Sequence, residues 1–528
     1  MSVQAGNWSR EQNFDVPTLN LDFVNGKGVD SRLKTTRAGT TTVCTEAGYV
    51  QTLNSNTAGI HWYPASGVYS NVEPETRECL GLQIDPPRTN EYADSNFAHL
   101  IAGSGDSSAA GVTISFNGKG PDGIQDSCLR MIETTVEGTH LINQVWTAQN
   151  GETGQRTFTA SVWVKKGPSM PSGRRFRLRA GGNGAIFASI YWDPETNNVT
   201  QSANAGATIY DSGLELYTDN WVRLHMTASF NDSSTATSLI IQSTDGSQTN
   251  FVGDTNAVWF VWGVQYETGG GITIGTGEFE QGWQHTGHIR NLTPSSHNVS
   301  RSEQITSMDL IKYRGLINTE WNSPQDRTGN AWVFTGYCEF DMRTAQKFNL
   351  ATDPNANKNY GVWKLCNLNT FNGSQGYCFQ VNYTGDNVNG KLTNVNKDYL
   401  LKARNIGGSS VPGPTINVRG LSSGTELNPE VNVNPGTFAF TTTLNNTSLQ
   451  NMKIASKRAW VNATPTSSQV QTTPGNGYQG IAFGGTNSAV IQNDGKLPYV
   501  GWIKKFVMWP IWVNDDTTTK LQNLSQGF

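Results

Sequence analysis

Glu339 and Asp341 stand two residues apart in the run AWVFTGYCEFDM (331–342). On a strand that spacing puts both carboxyls on one face. Retaining glycosidases use such pairs as nucleophile and acid, with the carboxyls about 5–5.5 Å apart. The further carboxylate of that arrangement would fall at position 344, where Thr344 has no acid–base chemistry to offer. No catalytic residue is therefore assigned. His285 and His288 lie three apart in HTGH (285–288) and could share a metal ion. A site needs three or four ligands of fitting geometry, and the nearest acids, Glu278 and Glu280, belong to the same Gly-rich stretch. Ordinary loop imidazoles are the expectation. Asn231-Asp232, Asp386-Asn387 and Asn514-Asp515-Asp516 supply hard oxygens of the kind calcium takes. They lack EF-hand spacing, so no cofactor is assigned and calcium is the one candidate.

Two further groups point to recognition rather than catalysis. Lys165, Lys166, Arg174, Arg175, Arg177 and Arg179 form a basic run. If FTASVWVKKG (158–167) and RRFRLRA (174–180) make a hairpin, Arg175, Arg177 and Arg179 line one face. Guanidinium groups there could bind phosphate or uronate groups of a surface polysaccharide bidentately. They could equally meet acids of a neighbouring subunit, or form a solvated face that deters edge-to-edge association. The second group is aromatic. Tyr191 and Trp192 precede Asp193-Pro194 at an expected strand end, Trp283 sits among Gly, Gln and His, and Trp321 sits in NTEWNSPQD (318–326). A ring in a polar loop is either a small local core or a platform for the C–H face of a sugar. Trp163, Trp221, Trp259, Trp262, Trp460 and Trp509 lie inside strand patterns and are assigned to cores or interfaces.

The elements that carry these residues read as strands. FTASVWVKKG alternates Phe158, Ala160, Val162 and Val164 with Thr159, Ser161, Trp163 and Lys165. Similar runs follow at 174–180, 185–193, 221–230, 237–243 and 257–267, the last apolar enough to be a central strand. A second set lies at 331–342, 360–368, 377–383, 437–444, 457–464, 479–485 and 499–510. The tail TTTKLQNL (517–524) suits a single helical turn. The fold class is all-β: tandem sandwiches behind an N-terminal arm. Residues 1–20 form the arm, 21–105 an extended β-rich segment, 106–296 one sandwich and 297–528 another. A length of 528 residues accommodates these units.

Composition narrows the function. Charged residues are 15% of the chain, against about 25% on average. The net charge of -4 argues against a general nucleic-acid binder. Polarity comes instead from Asn, Thr, Ser, Gln and 56 Gly, and the 16 Trp exclude a disordered chain. No apolar run reaches about 18 residues, so no membrane insertion is expected. The opening MSVQAGNWSREQ lacks the basic and apolar regions of a signal peptide. Six Cys at 44, 79, 128, 338, 366 and 378 contain no CxxC pair, and reduced, buried thiols are expected. There is no Walker loop, GxSxG or HExxH motif.

Several longer words act together. They are LDFVNGKGVDSRLKTTRAGT (21–40), GLQIDPPRTNEY (81–92), GPDGIQDSCLRM (120–131), FTASVWVKKG (158–167), WGVQYETG (262–269), HNVSRSEQI (297–305) and GWIKKFVMWPIWVNDDTTTKLQNL (501–524). Together they resemble a family of bacteriophage virion proteins: tail-fibre, head-fibre and tailspike-associated proteins with tandem lectin-like sandwiches. The resemblance implies a first sandwich like a carbohydrate-binding-module jelly roll and a second like a concanavalin or laminin-G sandwich. It also implies a virion protein assembled in the host cytoplasm, a homotrimer, attachment to other virion proteins through the arm, and adhesion to host surface polysaccharide. A purely structural collar, whisker or capsid-decoration protein is the alternative, and a polysaccharide depolymerase the second.

Overall fold

Alternating strands must bury one face, and in this chain two pairs of sheets do so. The computed structural model describes residues 19–100 except 27, 65–76, 86, 94, 96, 98 and 99. It further describes residues 107–268 except 148–153 and 183–185, residues 299–309, and beyond these the strands named below with their flanks at 480–484. The chain is all-β, and the longest helical piece among the described residues is the 3-10 turn Thr218–Asn220.

The first sandwich lies within residues 107–268. One sheet orders its strands Ala207–Leu216, Val222–Asp232, Gly154–Lys166, Val258–Thr268, Cys128–Glu133 and Val112–Gly118. The other orders Asn198–Ala203, Phe187–Asp193, Arg174–Gly181, Ala236–Asp245, His140–Thr147 and Ser107–Ala110. Between them lies a dry core that includes Phe158, Val162, Phe176, Leu178, Ile190, Leu224, Ile241, Trp259 and Tyr266. Val258–Thr268 is hydrogen-bonded on both sides and is internal, as its apolar sequence implies. The hairpin expected between 158–167 and 174–180 does not form. Gly154–Lys166 has both edges occupied, by Val222–Asp232 and Val258–Thr268, so the arginine strand Arg174–Gly181 joins the opposite sheet.

The segment 21–105 is not a separate unit. Leu19–Asp22 and Arg77–Ile84 both pair with Gly501–Trp509, and Ile60–Pro64 pairs with Arg77–Ile84. This sheet continues through Thr335–Asp341, Leu449–Ser456 and Phe438–Leu444. Lys34–Thr36 pairs with Ile305–Asp309, which leads through Gly480–Phe483 to Lys358–Cys366, Tyr377–Val388, Lys391–Ala403 and Thr415–Gly420. Phe483 of one sheet meets Phe506 of the other edge to face at 5.5 Å. The N-terminal and C-terminal strands thus build one framework, and the first sandwich is inserted into it. Gly81 shows how tight the seam is: its φ is +96°, and a Cβ there would lie 2.3 Å from the Ile503 carbonyl oxygen. Only glycine takes that backbone without strain.

The chain leaves the framework along Arg88–Asn90 and returns along Val299–Arg301, and these two strands pair with each other. At the framework end of the pair sits Asp85, 2% exposed, between two buried arginines. Its carboxylate accepts the Thr41 hydroxyl at 2.6 Å and the Gln83 amide at 3.0 Å, with the Arg301 guanidinium at 3.9 Å. Arg37 donates to Gln304 Oε1 at 2.6 Å, and the Gln304 amide donates to the Gln83 carbonyl. From the same end Arg88 reaches Glu267 of the sandwich at 3.2 Å, both buried. Burial pushes the Asp85 carboxyl up, but Arg301, Arg37 and its hydrogen bonds outweigh that and hold it below the ordinary value.

Because the folded-state pKa of Asp85 lies below that of the unfolded chain, its stabilisation is complete above the ordinary 3.8. It is lost as the pH falls from there through the folded value. Asp85→Asn leaves Arg37 and Arg301 buried without their carboxylate and is expected to cost about 3–5 kcal/mol at pH 7. The variant should also lose less stability than wild type between pH 7 and pH 3. Urea unfolding at the two pH values measures both, and equal curves would show that the network carries no stability.

Candidate functional site

The arginine strand places Phe176, Leu178 and Ala180 in the core, so Arg175, Arg177 and Arg179 project from the outer face of the six-stranded sheet. The neighbouring strands add to that face by register. Phe187–Asp193 sets Ser189 opposite Arg179 and Tyr191 opposite Arg177. Ala236–Asp245 sets Gln242 opposite Arg177 and Thr244 opposite Arg175. At the outer edges, Asn198, Thr200 and Ser202 on one side and Ser108 and Val145 on the other are exposed or nearly so.

Guanidinium and ring alternate in one layer. Arg179 lies over the Phe187 ring at 4.0 Å, and Arg177 is 5.3 Å from the centroids of both Phe187 and Tyr191. Arg177 is only 6% exposed. Its Nε and Nη2 donate to Ser189 Oγ at 3.1 and 2.9 Å, and its Nη1 donates to Gln242 Oε1 at 3.1 Å. Arg175 is more open and lies 3.8 Å from Asp193. Asp193 is the one carboxylate among the described residues of this face. Burial holds the Arg177 guanidinium below the ordinary arginine value; the Tyr191 phenol opposes that and Arg179 adds to it. The Arg179 guanidinium is lowered by burial as well. The arrangement offers planar donors, aromatic faces and small hydroxyls on a rigid sheet, which are the groups that hold sugars and their acidic substituents.

The other sequence candidates separate. Trp192 is a correction: it is 2% exposed, on the opposite side of its strand from Tyr191, and packs against Trp259 within the core. Its indole N–H donates to Asn197 Oδ1 at 3.2 Å. Two-residue alternation forces neighbours to opposite faces, so Tyr191 and Trp192 cannot both line a platform. Arg174 also points inward, donating to buried Glu133 at 3.1 Å, and Lys165 and Lys166 belong to the other sheet. Phe187, Ser189 and Gln242 were missed because nothing in their local sequence marks a site; the register brings them to the arginines.

Trp283, Trp321, His285 and His288 lie outside the described residues. Glu339 and Asp341 fall on a described strand whose side chains do not. Asp232 turns its carboxylate on the backbone N–H of Ser234. Among the described residues no three His, Cys, Asp or Glu side chains converge as metal ligands would. Cys44, Cys79 and Cys128 are buried thiols without a disulfide. Burial pushes Cys44 and Cys128 up to about 12, so neither is a thiolate at neutral pH.

The second sheet of the inserted sandwich uses its outer face differently. Trp163 and Trp262 meet edge to face at 5.1 Å and are covered with Trp221 and Tyr217 by Cys44 and Val50 of the framework hairpin Thr41–Cys44 and Val50–Leu53. No helix among the described residues is long and apolar enough to cross a membrane. No family model and no curated protein matches the chain.

The two neighbouring aromatics give a direct test of the assignment. Trp192→Ala is expected to cost about 3–5 kcal/mol of stability, as a truncated core indole does. Tyr191→Ala, on the outer face, should cost about 1 kcal/mol or less. Denaturant midpoints of the two variants decide this, and comparable losses would place both rings in the core.

Proposed function

We propose that the chain is a bacteriophage virion protein, a tail or head fibre or spike component, that holds host surface glycan on the outer face of its inserted sandwich. The single observation that carries the adhesion is the layer in which Arg175, Arg177 and Arg179 interleave with Phe187 and Tyr191 above Ser189 and Gln242. Rings stack on sugar C–H faces while guanidinium, amide and hydroxyl groups supply directional hydrogen bonds. The virion setting rests on words that resemble those of phage fibre proteins and on a chain poor in charge and rich in Asn, Thr, Ser and Trp. Trimerisation and an arm that docks on other virion proteins belong to the same reading. Linked copies would raise weak affinities by about 10²–10⁴.

A second reading has its own observation. The eight-stranded sheet of the same sandwich already uses an aromatic outer face for contact with protein. A collar, whisker or decoration protein would use the arginine face in that way too.

The test is binding of the full chain to a panel of immobilised bacterial surface polysaccharides, with and without periodate oxidation of their sugars. Binding to at least one polysaccharide is expected, lost on oxidation and weakened about ten-fold by Tyr191→Ala, equivalent to about 1.4 kcal/mol. Absence of binding across the panel by correctly assembled protein overturns the adhesin in favour of the structural appendage. New reducing ends in the bound polysaccharide would instead identify a depolymerase.

A further inference from the structure

Arg177 is a buried cation whose hydrogen-bond partners are all neutral. Its three donated bonds go to a hydroxyl and an amide oxygen, and no carboxylate pairs with it among the described residues. Removing a guanidinium from water is costly unless an anion compensates it. Three other buried arginines of the described residues each meet a carboxylate. Arg174 meets Glu133, Arg88 meets Glu267, and Arg301 meets Asp85. Arg177 lies instead on a face where Arg179 stands two residues along the strand and Asp193 is the sole described carboxylate, itself facing Arg175. The protein as a whole is slightly acidic, so an excess of cation here is local.

Charge arranged in this way needs a counterion from outside. We propose that the arginine face binds an acidic polysaccharide, the anionic group of the sugar lying over the Arg177–Arg179 layer while a pyranose ring stacks on Tyr191. This rests on the glycan-adhesion reading and gives it a ligand class. Arg175 and Arg179 are the contact residues. Arg177 is a positioning residue, locked by Ser189 and Gln242, whose charge draws the anion without leaving its socket. The aromatic flanks exclude water from the layer and so strengthen the attraction.

Carboxylate and sulfate could each supply the anion, and matched polymers separate them. The full chain is measured by affinity electrophoresis against polygalacturonate, carboxyl-reduced polygalacturonate, dextran sulfate and neutral dextran. Tighter binding to polygalacturonate than to its reduced form, falling as salt rises, supports a carboxylate ligand. Preference for dextran sulfate over dextran supports a sulfate ligand. Arg179→Gln should weaken the preferred acidic polymer about ten-fold or more. Arg130→Gln, which removes an equal charge from the opposite sheet, should leave it unchanged. Arg177→Gln keeps hydrogen-bonding capacity but drops the charge, and should act like Arg179→Gln provided its unfolding curve shows a folded protein.

Equal binding to acidic and neutral polymers, or equal losses in Arg179→Gln and Arg130→Gln, overturns the acidic ligand. If periodate-sensitive, Tyr191-dependent binding to the polysaccharide panel persists in that case, adhesion itself still stands. If no polymer in either set is bound, both readings fall together.

Discussion

Asp85 keeps its charge where water is excluded because Arg37, from before it in the sequence, and Arg301, from well after it, both approach it. Arg301 lies 216 positions beyond Asp85, and the sandwich bearing the arginine face lies in between. Arg301 is the largest of the groups that offset its desolvation, so the network is complete only once the returning strand is in place. Thr41, Gln83 and Gln304 take up the hydrogen-bonding capacity that remains. The geometry of the inserted unit is therefore tied to a network in which a single missing partner leaves a buried charge exposed to low dielectric.

From that junction outward, two more buried arginines are matched with carboxylates. Arg88 and Glu267 join the outgoing strand to the last strand of the inserted sandwich, and Arg174 with Glu133 closes its far end. These pairs are shielded and mutually neutralised. Arg177 on the outer face has comparable burial but neutral hydrogen-bond partners. The same sandwich thus presents one face sealed by tryptophans against its own framework and another built of cations and rings.

Much of the fold was legible because alternation is a local signal. The runs at 158–167, 221–230 and 257–267 appear as strands within a few residues of their expected bounds. Asn198–Ala203 and Lys391–Ala403 were missed because they are polar, without the apolar period that identifies a half-buried strand. The place of 21–105 was hidden for a different reason. Strand partners hundreds of residues apart leave no trace in local composition, so 21–105 read as a separate segment although its strands complete the C-terminal sheets. At the site, the common face of Arg175, Arg177 and Arg179 followed from spacing alone, while Trp192 was misjudged because its Asp-Pro neighbour suggested a loop. The word GLQIDPPRTN entered only through a resemblance, with no role for its polar residues. Gln83, Asp85, Arg88 and Asn90 are in fact buried polar residues of the junction.

The neck between the two bodies is a pair of antiparallel strands, with Asn90 and Val299 at its sandwich end and Arg88 and Arg301 at its framework end. A pull that draws the bodies apart runs along both backbones in the same direction. It neither shears one strand past the other nor peels them apart, so the ladder between them bears none of the load. Tension is carried by covalent bonds and passes to the anchors at each end, the Asp85 network in the framework and, in the sandwich, Asn90, which accepts the backbone N–H of Tyr266 at 2.9 Å. As a mechanical linkage the neck is therefore strong in extension.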